Sequence, residues 1–140
     1  MAEEITVKIP QTCDEKRSIF TAFKFPDKTL PELEKLLLNN EVQLRIAVDQ
    51  KKTVGFILWY SHYSTWTGES VVIRHLESLG NNTAAKMALT DSVLSYCKEK
   101  GVTRCDVFTS DQGLKDFLVT ANFTNLSVNE DWDCWSLAVQ

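Results

Sequence analysis

The chain has 140 residues, 44% of them hydrophobic and 24% charged, with a formal net charge of -4. That fits a single globular domain of 1–140 with its own core, and no apolar run approaches the roughly 20 residues that span a bilayer. The acidic balance excludes the concentrated basic surface that nucleic-acid backbones need. The opening MAEEITVKIP lacks the basic and apolar regions of a secretory signal, so a cytoplasmic or nuclear protein is expected, with no membrane and no nucleic-acid partner.

In chain order, Ile5, Val7 and Ile9 alternate with polar residues until Pro10, which predicts a first strand. A short helix is expected from Asp14 to about Phe23. A second is marked by the capping box Thr29/Glu32, by Pro31 in its first turn and by the face Leu30, Leu33, Leu36 and Leu37. Val42, Leu44, Ile46 and Val48 alternate cleanly, and Asp49-Gln50-Lys51-Lys52 reads as a hairpin turn. Strands Thr53–Ser61 and Glu69–Leu76 follow around a turn at Ser64–Gly68, giving an antiparallel meander.

From about Asn82 to Lys100 the period becomes helical, with Ala85, Leu89, Val93 and Cys97 on one face and Gly101 as the stop. Val102–Phe108 is a predicted strand, Asp111 to Ala121 a short helix, and Phe123–Val128 and Trp132–Val139 two closing strands. The resulting order is β-α-α-β-β-β-α-β-α-β-β, an α+β fold with a mixed, mostly antiparallel sheet flanked by helices. Cys13, Cys97, Cys105 and Cys134 form no CxxC pair, and with His62 and His75 they give no zinc spacing. They are read as reduced thiols, mostly buried, and no metal is expected.

The stretch Thr53–Gly68, TVGFILWYSHYSTWTG, resembles the central hairpin of the diamine and thialysine N-acetyltransferases, a branch of the GNAT superfamily. The likeness runs from Thr53 to about Leu137 and includes the helix ending in Lys98-Glu99-Lys100-Gly101, the Asp116-Phe117-Leu118 helix and Asn129-Glu130-Asp131-Trp132. It implies the GNAT fold, and with it a loop that binds coenzyme A pyrophosphate, Q/R-x-x-G-x-G/A, opening the central helix. Here that stretch reads Gly80-Asn81-Asn82-Thr83-Ala84-Ala85-Lys86, without the first arginine or glutamine and without the inner glycine.

The family's glutamate-aspartate pair, which helps to deprotonate the amine, corresponds to Arg74 and His75. Arginine stays protonated throughout the working range and cannot serve as a base. The general-acid tyrosine corresponds to Leu118, and an asparagine on the pantetheine arm to Asp111. The resemblance therefore implies a catalytically silent domain with no catalytic residue and no cofactor, acting on a protein partner or on itself as a homodimer. Trp66, Trp59 and Trp132 are the candidate interface anchors, tryptophan being favoured at such positions. The alternative is an active, divergent acyltransferase using acetyl-coenzyme A and a small amine such as a polyamine or thialysine. A third possibility is a small-molecule sensor that retains a modified cleft.

Overall fold

In the computed structural model the described residues are 5–10, 14–16, 19, 23, 31, 35, 41–65, 68–109, 111–125 and 133–139. Seven strands form one sheet: β1 (Ile5–Lys8), β2 (Gln43–Asp49), β3 (Lys52–Ser64), β4 (Gly68–Ser78), β5 (Arg104–Thr109), β6 (Thr124–Asn125) and β7 (Asp133–Ala138). Their spatial order is β1-β2-β3-β4-β5-β7-β6. Every neighbouring pair is antiparallel except β4 and β5, which are joined by the long helix α1 (Thr83–Lys100) as a parallel crossover. Helix α2 (Gln112–Thr120) follows β5.

The expected elements recur with shifted ends. Ile9 falls outside β1 and is 57% exposed, because Pro10 directly after it cannot donate to a ladder. The hairpin strands are longer than predicted, and the fifth strand starts at Arg104, since Val102 and Thr103 belong to the turn after Gly101. Residues 14–16 and 19 are helical, as are 31 and 35, at the places of the two predicted early helices. Thr29, Glu32 and the four leucines lie outside the described residues, as does Cys13.

Two cores sandwich the sheet. On one face Ala47, Ile57, Trp59, Val71 and Ile73 pack against Ala85, Leu89, Val93 and Cys97 of α1, and Phe117 and Leu118 of α2 join them. On the other, Leu44, Ile46, Phe56 and Leu58 meet Ile19, and the Phe23 ring stands edge-on to Phe56 at 4.7 Å. Cys97 and Cys105 are free and buried, with their thiols pushed upward in pKa, chiefly by burial.

Local chemistry sets the ends of α1. Asn82 caps its start, accepting from the Ala85 amide at 3.0 Å. At the far end Gly101 takes φ 71°, and the Val102 amide returns to the Cys97 carbonyl at 2.8 Å. Gly55 lets the helix seat closely: a Cβ there would stand 2.9 Å from the Glu77 carbonyl and 3.3 Å from Leu89 Cδ1.

Candidate functional site

The site begins with a break in register. Trp59 pairs with Ile73 and Leu58 with His75, so Arg74 is an unmatched residue of β4, a β-bulge. Parallel pairing with β5 stops at the same place, at Ile73 opposite Val107, although β4 continues to Ser78 and β5 to Thr109. The bulge bends β4, and the two strands part. Beyond Ile73 and Val107 the strands carry no mutual pairing, and the gap between Arg74–Ser78 and Phe108–Thr109 is the candidate cleft. The helices that follow each strand, α1 and α2, start at its mouth.

Arg74 is exposed, and its guanidinium carbon lies 6.0 Å from the Tyr60 ring centre. His75 is half-buried, 6.4 Å from the Phe56 ring centre, and its pKa is lowered by burial and then by Arg74. A histidine held below its usual range is a weaker base than a free one. Leu118 is fully buried in the core and has no proton to give. Arg74 and His75 thus lie on β4 beyond the break, and Leu118 is packed in the α1-side core.

The loop Leu79–Asn81 forms a single 3-10 turn in which Gly80 takes φ 61°, a left-handed conformation that suits glycine. Thr83 and Ala84 are exposed, Ala85 is in the core, and Lys86 is 8% exposed, its ammonium 5.9 Å from the Phe117 ring centre. Lys86 thus reaches from the start of α1 to α2. Asp111 caps α2, its carboxylate accepting from the Leu114 amide at 2.8 Å, while its own amide donates to Thr109 Oγ1 at 3.0 Å.

Glu77 is the residue that the sequence pattern missed. Although the residue is exposed, partial burial raises its pKa, as does the neighbouring Asp111 carboxylate, with Lys86 partly offsetting both. A carboxyl group whose ionised form is disfavoured at the end of a splayed strand is a candidate proton acceptor. The signal was available: Ile73 and Leu76 both face the α1 core but stand three apart, which breaks the strand period and shifts every later side chain.

Among the proposed anchors, Trp59 requires correction. It is 1% exposed, packed 4.6 Å from the Tyr96 ring centre and under the Arg45 guanidinium, so it is core and cannot anchor a partner. Trp135 is buried too, and the indole N–H groups of both residues have no hydrogen-bond partner among the described residues. Trp66 and Trp132 lie outside the described residues. Among the described residues no three His, Cys, Asp or Glu side chains converge to hold a metal ion, and no helix is long and apolar enough to cross a membrane.

No protein-family model matches the sequence, and no curated protein does. Solved structures do. A GNAT-family acetyltransferase from Staphylococcus aureus superposes with a TM-score of 0.73 at 16% identity, covering 98% of this chain and 100% of that one. The PaiA N-acetyltransferase from Thermoplasma acidophilum, solved in complex with coenzyme A, gives 0.69 at 12% identity over 96% and 99% of the two chains. The N-acetyltransferase PseH of Campylobacter jejuni gives 0.70 at 17% identity over 97% and 99%. At these identities the likeness carries the architecture alone: the chain has the fold of the GNAT acetyltransferases.

Proposed function

We propose that the domain is a catalytically silent form of this fold that works by binding protein, either a second copy of itself or another partner. The observation that carries the reading is the state of the α1 N-terminus. Pyrophosphate binding at a helix start depends on backbone amides that point at the anion. Here the Ala85 amide is already taken by Asn82 Oδ1. The Asp111 carboxylate lies close enough to raise the Glu77 pKa, so two acidic groups stand beside the single Lys86 cation at the start of α1. These residues do not suit the pyrophosphate of acetyl-coenzyme A. Leu118 at the place of the family's acid and Arg74 and His75 at the place of its carboxylates point the same way.

Calorimetric titration of the purified protein with acetyl-coenzyme A tests this. No heat of binding at millimolar cofactor is the expected result, and saturable micromolar binding overturns it. Sedimentation of the same sample then reports whether a second copy is the partner. A single species at monomer mass directs the search to other proteins.

One observation favours a second reading, an active acyltransferase acting on a small amine. Glu77, with its raised pKa, has the chemistry of a general base and stands on the cleft wall. In that reading acetyl transfer to a polyamine is measurable and is lost in Glu77→Gln. Absence of transfer by the unmodified protein removes it.

A further inference from the structure

A second pocket lies away from the cleft, on the face of the sheet that carries α1. Its volume is about 380 Å³, and it is lined by Val7, Ile9, Arg45, Ser95, Tyr96 and Glu99, with Ser92 at its edge. Arg45 dominates its chemistry. On β2 its neighbours Leu44 and Ile46 face the opposite core, so the guanidinium projects toward α1. Nη1 donates to the Ser92 carbonyl at 2.9 Å and to the Ser92 hydroxyl. The guanidinium carbon stands 5.7 Å from the Trp59 ring centre and 5.9 Å from that of Tyr96. The cation is thus oriented from three sides before any ligand arrives.

Arginine carries five N–H donors, and the contacts to Ser92 employ the two on Nη1. The Nε and Nη2 donors have no hydrogen-bond partner among the described residues, and neither atom is among the sealed, unsatisfied ones. They form the edge of the guanidinium that fits a carboxylate with two parallel hydrogen bonds. Glu99 lies seven residues beyond Ser92 on α1, about 10 Å along the helix axis. No described cation is within salt-bridge distance of its carboxylate. Between these charges the wall is apolar, from Val7 and the exposed Ile9.

We infer that this pocket binds a small zwitterion of dipeptide size, its carboxylate on Arg45, its ammonium at Glu99 and an apolar side chain on Val7 and Ile9. A free amino acid is too short, because one carbon separates its two charges. An extended dipeptide spans about 7 Å before hydrogen-bond lengths are added, the same order as the roughly 10 Å of helix between Ser92, which holds Arg45, and Glu99. The volume is at the lower end of the range for small-molecule sites. The inference is independent of whether the β4–β5 cleft is silent.

The test is amide-shift NMR on the full chain, titrated with glycyl-leucine, its N-acetylated form and its C-terminal amide. Saturating shifts in α1 from Ser92 to Glu99 are expected with glycyl-leucine, with weaker binding of both blocked forms. Arg45→Lys keeps the charge and loses the fork, and weakens binding about tenfold. Glu99→Gln changes an exposed residue, leaves the fold intact, and removes the preference for glycyl-leucine over its N-acetylated form. The inference is overturned by no saturation at millimolar peptide, by shifts that map to the β4–β5 cleft, or by equal affinity in both variants.

Discussion

Strand β4 is two different objects end to end. From Ser70 to Ile73 every residue is buried, with β3 on one side and, from Val71 to Ile73, β5 on the other. From Arg74 to Ser78 the same strand keeps β3 alone and carries Arg74, His75 and Glu77. One unmatched residue divides a stretch whose side chains are chosen by packing from a stretch free to carry charge. Stability and chemistry are thus separated along a single strand, and substitutions on either side should report different quantities.

The largest effect is expected in the paired half. Ile73→Ala should cost about 3 kcal/mol in chemical denaturation, the range for deleting a buried isoleucine side chain. A loss near zero there would erase the contrast. Leu118→Tyr forces extra volume and a polar group into a fully buried site. About 2 kcal/mol of destabilisation is expected, with no gain of acetyl transfer. At the cleft mouth, Asn82→Ala removes the α1 cap and should cost about 1 kcal/mol by thermal unfolding. If coenzyme A binding strengthens at the same time, the cap is what obstructs the phosphates. In the open half, Arg74→Ala should change stability by less than about 0.5 kcal/mol, as exposed substitutions do.

The smallest effects are in the pH profile. Glu77 is held above its ordinary value of 4.5, so folding favours its protonated form. Its favourable contribution is complete below that value and is lost as pH rises through the folded pKa. Glu77→Gln should therefore match the parent in acid and be slightly more stable at neutral pH. His75 is held below 6.5, so its neutral form is favoured and its contribution falls away as pH drops below that value. His75→Gln should flatten the stability loss between neutral and mildly acid pH, read from unfolding midpoints across a pH series.

Much of the fold was legible because its signals are local. Period-two runs at Val42–Val48, a capping asparagine at Asn82 and a glycine stop at Gly101 each act within a few residues. The strand pairs β2·β3 and β3·β4 followed from short links and alternation, whereas β1·β2 did not. The β5·β7 pairing, Val107 opposite Trp135, needed the fold as a whole. The site was less legible. Arg74 and His75 are neighbours in sequence, but the side chains around them depend on a phase shift. Glu77 follows Leu76 as any polar residue follows an apolar one, and only the bulge and the approach of Asp111 make it unusual. Trp59 failed as a surface anchor for a related reason. Its hairpin is aromatic on both faces, and the face that meets Tyr96 and Arg45 is set by α1, far away in sequence.

Residue 74 also fixes how this chain tolerates insertions and deletions. Loops absorb an added or missing codon, but here a single in-frame deletion within β4 would cancel the bulge. Ile73 and Leu76 would then stand two apart in an unbroken ladder, with Leu76 still opposite Ile57 on the α1 core. Pairing with β5 would be free to extend past Ile73, zipping the sheet shut where it now divides. The opening in this molecule depends on the count of residues in one strand more than on the identity of any of them. A lineage could rewrite every charge on its walls and still inherit the gap.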